Sequence, residues 1–141
     1  MLDRRTLLGV GVGLLVLGCG GASSRLNTVK QPTGSGAIDF QVQNGTDVAV
    51  NNLYMAKTEA VDKLKKVEPG SPEEAELWGN DLLTKGALER GGRQKIAVEP
   101  GRWDVRAVDR DGRYQHVTGL KLGAGGTYIL ELGDGGWRLE K

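Results

Sequence analysis

Cysteine, histidine and phenylalanine each occur once in this sequence, and that scarcity removes whole classes of chemistry before any pattern is read. With Cys19 as the sole thiol, no disulfide can form within the chain. A zinc site would have to be built from His116 and carboxylates, so no metal site is expected. Serine is nearly as sparse, and beyond residue 36 only Ser71 remains. A Ser-His-Asp site needs the nucleophile beside its base. Ser71 at a helix start and His116 in mid-strand are not expected to meet. Charge of one sign is missing as well: Lys and Arg total 19, Asp and Glu 18. Without Arg4, Arg5 and Asp3 the remainder is formally neutral, which argues against nucleic acid as a partner. No catalytic residue and no cofactor are expected.

What the sequence does have starts with its first residues. Arg4-Arg5 form a basic head, Leu7 to Val16 an apolar stretch, and Gly18 a small residue at a cut point. These are the parts of an export signal. From Leu7 to Gly18 a helix would measure about 18 Å at ~1.5 Å per residue. A hydrocarbon core is ~30 Å thick, so the stretch is too short for a comfortable permanent span.

Val16-Leu17-Gly18-Cys19 resembles the lipobox of bacterial lipoproteins. The resemblance implies that the Cys19 thiol receives a diacylglyceryl group and becomes the first residue after cleavage. It therefore implies a membrane anchor through lipid and leaves no thiol for catalysis. Gly20 stands where an aspartate would signal inner-membrane retention, so an outer-membrane location facing the periplasm or the surface is implied. Arg4-Arg5-Thr6-Leu7-Leu8-Gly9 is similar to a twin-arginine signal, with Leu7 for phenylalanine and Gly9 for lysine. Glycines at 9, 11 and 13 lower the apolarity of the core, as such signals tend to show; the general secretory route stays open. The expected organisation is a signal peptide over 1–18, a lipidated cysteine and flexible tether over 19–36, and one domain over 37–141. As a coil the tether would reach ~20–25 Å.

From Ala37 the pattern has period two. Ile38, Phe40 and Val42 alternate with polar residues, and Asn44-Gly45 is a tight-turn signal. Val48 and Val50 begin a second run whose parity slips at Asn51-Asn52, predicting a bulge and a hairpin with the first run. Residues 57–90 read as a helical insert: Ala60, Val61, Leu64 and Val67 recur at helical spacing. Ser71-Pro72-Glu73-Glu74 offers a serine cap, proline at the first helical position and a glutamate three residues on. Alternation returns at Ile96-Val98, Trp103-Val105-Ala107, Tyr114 to Leu122 and Thr127 to Leu132, with a hairpin turn at Asp111-Gly112 and a last strand at Trp137 to Leu139. Glycine, 23 residues of 141, supplies the turns. The expected fold is mainly β, an antiparallel sandwich of about seven strands with a short helical insert.

Val98-Glu-Pro100-Gly101-Arg-Trp103-Asp-Val105-Arg-Ala107 resembles a strand of transthyretin-like and other small immunoglobulin-like modules. Trp78-Gly79-Asn80-Asp81-Leu82-Leu83, taken with it, is similar to a β-domain of unassigned role in exported bacterial proteins. The resemblance supports the sandwich and transfers no catalytic residue. Glu99, Asp104, Asp109, Asp111 and Asp134 read as solvent-facing or turn-forming carboxylates, and Asp109-x-Asp111-Gly112 as a hairpin rather than a calcium loop. Trp103 and Tyr128 are expected in the core. Trp78 and Trp137, near turns, are the candidates for an exposed binding surface. The function expected is a non-catalytic binding or structural module at the cell envelope, with a protein or envelope component as partner. The alternative is a carbohydrate-binding or hydrolytic domain using clustered aromatics and carboxylates.

Overall fold

A computed structural model describes residues 23–64 and 71–139. The chain is mainly β, with seven strands in two sheets that close on one core. Strands β1 (Arg25–Lys30), β2 (Asp39–Asn44), β4 (Arg93–Ile96) and β7 (Thr127–Leu132) form one sheet in the order β1-β7-β2-β4. Strands β3 (Val50–Lys57), β5 (Gly101–Asp109) and β6 (Tyr114–Leu122) form the other in the order β3-β5-β6. Period-two alternation puts Phe40, Val42, Tyr128, Leu130 and Leu132 on the inner face of the first sheet. Leu53, Val105, Ala107, Leu120 and Leu122 meet them from the second. Phe40, Leu53, Leu130 and Leu132 are wholly buried, each contributing ~1.5–3 kcal/mol by removal from water.

Several local predictions hold. The bulge at Asn51-Asn52 appears as a register shift between Val50 and Asn52 against β5. Asp111-Gly112 turns β5 into β6. Its Gly112 has φ +84°, and the Asp109 carboxylate accepts from the Asp111 and Arg113 amides. In the insert, α1 (Thr58–Lys63) is followed by α2 (Pro72–Trp78). The Ser71 hydroxyl caps α2 by accepting from the Glu74 amide at 3.3 Å.

Four features differ from the sequence expectation. Asn44-Gly45 does not close a hairpin, because β2 and β3 lie in different sheets. The wholly buried Asn44 builds a corner instead: its Nδ2 donates to the Val48 and Leu88 carbonyls, and its Oδ1 accepts from the Thr46 amide and hydroxyl. The Gly45 amide donates across to Leu132, so the chain follows β7 before crossing over. The sheet is also not wholly antiparallel, since β2 runs parallel to β7.

The third difference lies in the expected tether. Residues 25–30 are strand β1, antiparallel to β7 with Arg25 opposite Glu131 and Lys30 opposite Thr127. Only Leu26 is packed against the core, so the strand owes its existence to the row of backbone donors and acceptors on β7. Last, the run expected as a strand at 137–139 is only a single bridge between Tyr114 and Arg138, entered from a short 3-10 turn at Asp134–Gly136.

Candidate functional site

The second sheet has one covered and one open part on its outer face. Tyr54, Ala56, Asp104, Arg106 and His116 point away from the core because their neighbours at 53, 55, 105, 107, 115 and 117 point into it or lie at its margin. The helical insert lies over β3 and β5 on that side. Beneath it sits Asp104, a carboxylate only 1% exposed.

Four donors converge on Asp104. Its Oδ1 accepts from the Thr58 hydroxyl at 2.8 Å, the Thr118 hydroxyl at 3.1 Å and the Gly119 amide at 3.0 Å. Its Oδ2 lies 2.8 Å from His116 Nε2. An ionised carboxylate only accepts, so Nε2 carries the shared proton. The bulge between Trp103 and Val105, where β6 gains a residue, is what turns Thr118 and Gly119 toward the carboxylate. Burial pushes the Asp104 carboxyl up, but the bonds from Gly119, Thr58, His116 and Thr118 outweigh it and hold it below its ordinary value. Trp78, the last residue of α2, closes the cluster with its ring edge-on to His116, centroids 5.4 Å apart at 82°.

Sequence reasoning placed Asp104 among the solvent-facing strand residues, and that reading is wrong: an outward strand position is buried here because the insert covers it. Asp109 is buried too, 2% exposed, with the Arg113 guanidinium on its other oxygen at 2.7 Å. The signal that was available is the pairing of a polar outward position with an amphipathic insert that must rest on some face.

The two tryptophans expected at an exposed binding surface fare differently. Trp78 is buried, at 8% exposure, and forms the roof over His116. Beside it a cavity of about 290 Å³ is lined by Tyr54, Ser71, Glu74 and Arg106 among others. Trp137 is half-buried at the end of the sandwich, with the Arg113 guanidinium 5.6 Å from its ring centre. Trp103, expected in the core, sits at its margin. Its Nε1 donates to the Glu99 carbonyl at 2.9 Å, and Lys57 Nζ lies 4.6 Å from its ring centre. The three rings occupy a helix-sheet seam, one end and one core margin, so they do not form a shared stacking platform. Tyr128 is buried as expected, its hydroxyl accepting from the Gly123 amide.

On the far side of His116 a second cavity, about 280 Å³, is lined by Ser23, Ser24, Gln115, His116, Thr118 and Arg138, with Val117 and two glycines. Ser24 donates to the Gln115 side-chain oxygen, and Gln115 Nε2 donates to the Gly133 carbonyl at 2.7 Å. An Asp-His pair of this kind is two thirds of a proton relay. Among the described residues, no hydroxyl is hydrogen-bonded to the histidine ring, and no three His, Cys, Asp or Glu side chains gather as a metal site. No helix among the described residues is long and apolar enough to cross a membrane. The sequence-predicted export and lipidation residues Arg4, Arg5, Leu7, Leu8, Gly18 and Cys19 lie outside the described residues. No family model, curated protein or solved structure matches the chain.

Proposed function

We propose that this protein is an exported lipoprotein whose β-sandwich is a non-catalytic binding or structural module at the cell envelope, held to the membrane through Cys19. The observation that supports the non-catalytic reading is how Asp104 is used. All four of these bonds fasten structure: Thr58 ties the start of α1 to the sheet, Thr118 and Gly119 fix the bulge, and His116 is held under Trp78. A general base must reach its substrate. This carboxylate is enclosed; its histidine, braced between it and an indole, has a side chain 33% exposed toward the cavity of Ser23, Ser24 and Arg138, but no hydroxyl among the described residues is hydrogen-bonded to its ring.

The stated alternative, a sugar-binding or hydrolytic domain, loses its aromatic platform with Trp78 buried and Trp103 and Trp137 at separate places beneath cations. The test is direct. The purified protein and its Asp104→Asn variant are assayed against glycan, ester and peptide substrates. No turnover by either is the expected result. Turnover by the wild type that the variant loses would overturn the reading and make Asp104–His116 an active pair. Fractionation of Cys19→Ala tests the anchor, with unprocessed precursor or soluble protein expected.

A further inference from the structure

The strand that replaced the tether shortens the leash. Ser24 is fixed to the domain by its bond to Gln115, which is itself buried, and Arg25 is already paired with Glu131. Between Cys19 and Ser24 a fully extended chain spans at most about 17 Å, at ~3.3–3.6 Å per residue. Strands β5 and β6, of nine residues each, make the sandwich about 30 Å long at ~3.3 Å per residue. If the end carrying Gly101 and the Gly123–Gly126 turn rested on the bilayer, Ser24 would stand too high for Cys19 to reach the lipid. The end that holds Ser24, the 3-10 turn and the bridge at Tyr114–Arg138 is the only end the leash allows.

That end has the chemistry for the position. Its cavity is lined by Ser23, Ser24, His116, Thr118 and Arg138 among others, and no carboxylate of the described residues lines it, Asp111 and Asp134 being exposed at the same end outside it. Arg138 has no ion-pair partner among the described residues. Next to it Leu139 is 75% exposed. The other large exposed apolar residue among the described residues, Val29, lies on β1 toward the opposite end. An arginine with hydroxyls suits phosphate oxygens, and an exposed leucine beside it suits the boundary between headgroups and acyl chains.

We propose that this end of the sandwich, marked by Ser23, Ser24, Arg138 and Leu139, lies against the bilayer, with the phosphate headgroups around the anchor as its occupant. The inference rests on acylation of Cys19. Because an acylated Cys19 cannot react with maleimide, an introduced cysteine is the only reactive thiol. The full chain is processed in cells, purified with its lipid, and added to preformed vesicles of phosphatidylethanolamine and phosphatidylglycerol. Labelling by a bulky maleimide-polyethylene glycol is timed before and after detergent for Leu139→Cys and for Glu99→Cys, exposed at the opposite end. Detergent should speed labelling about fivefold or more at position 139 and less than about twofold at position 99, as expected for a site pressed into the interface. Adding Arg138→Glu to the Leu139→Cys variant should remove most of the shielding. Equal labelling at both positions, or shielding at 99 alone, overturns the orientation while leaving the anchor standing. Labelling of Cys19 itself in the unfolded wild type shows a free thiol and overturns the anchor together with the orientation.

Discussion

Asp104→Ala is the perturbation that exposes most about this fold. It strands four donors, and their fates differ. Thr118 and His116 are partly exposed and recover water. The Thr58 hydroxyl, on a residue only 2% exposed, is left without a partner, and the half-buried Gly119 amide regains water only in part. A buried unsatisfied group costs ~1–3 kcal/mol, which Thr58 bears in full and Gly119 in part, giving about 2–5 kcal/mol together. The charge-assisted bonds lost with Asp104 place the expectation in the upper half of that range, about 4 kcal/mol. A domain of this size has only ~5–15 kcal/mol in total. Thr58→Val removes one donor and leaves the carboxylate three others, so about 1 kcal/mol is expected there. Urea unfolding followed by tryptophan fluorescence measures both. Limited proteolysis adds a local readout, because Thr58 is the bond between α1 and the sheet. In Asp104→Ala trypsin should cut faster at Lys63, the exposed last residue of α1, at urea concentrations where the sheets remain folded. A midpoint for Asp104→Ala equal to that of Thr58→Val, or no change in cleavage, would refute the view that the carboxylate fastens the insert.

Acid should weaken the same fastening. The folded Asp104 pKa lies below its unfolded value, so its contribution is complete above the unfolded pKa, ~3.9, and is lost as pH falls through the folded pKa; melting temperatures of wild type and Asp104→Asn should converge below about pH 4. Gly125→Ala should cost about 2–4 kcal/mol in thermal melts, because φ is +81° and an added Cβ would sit 2.2 Å from the Ser35 carbonyl. Trp103→Ala should cost only about 1–3 kcal/mol, less than the ~3–5 of a fully buried tryptophan, since the ring lies at the core margin. Replacing Arg4 and Arg5 by lysine should block export measured by fractionation, and unimpaired export of that double variant would assign the signal to the general secretory route.

How much of this was legible in the sequence depended on distance along the chain. The Asp111-Gly112 hairpin, the Ser71 cap and the bulge at Asn51-Asn52 are decided by residues within a few positions of one another, and all three were read correctly. The Asn44-Gly45 corner was misread because a turn signal does not say which neighbour completes it. Leu88 and Leu132, far off in sequence, take the bonds that a hairpin would have used. Strand β1 was invisible because Arg25-Leu26-Asn27-Thr28-Val29-Lys30 buries almost nothing, and its reason for being extended is β7. The Asp104 cluster joins an insert residue, a bulge and a neighbouring strand. Of its members Asp104, His116 and Trp78 are legible singly, whereas Thr58, Thr118, Gly119 and the second bulge carry no local signal; Trp78 reads as outward because nothing local indicates that His116 lies beneath it.

The order β1-β7-β2-β4 also has a consequence in time. Strand β7 is the shared neighbour of β1 and β2, yet it is made about a hundred residues after β1: Arg25 waits for Glu131, and Gln43 waits for the same residue. Until that segment emerges from the ribosome, the first sheet lacks the strand that joins β1 to β2, and Phe40 and Val42 lack their neighbours Tyr128 and Leu130. Loop closure over such separations makes assembly slow. A newly made chain therefore spends its synthesis open, in a form a threading translocase can accept. Under the export proposed above, a route that demands folded cargo would have to wait for the late arrival of β7, and strand order would act as its timer.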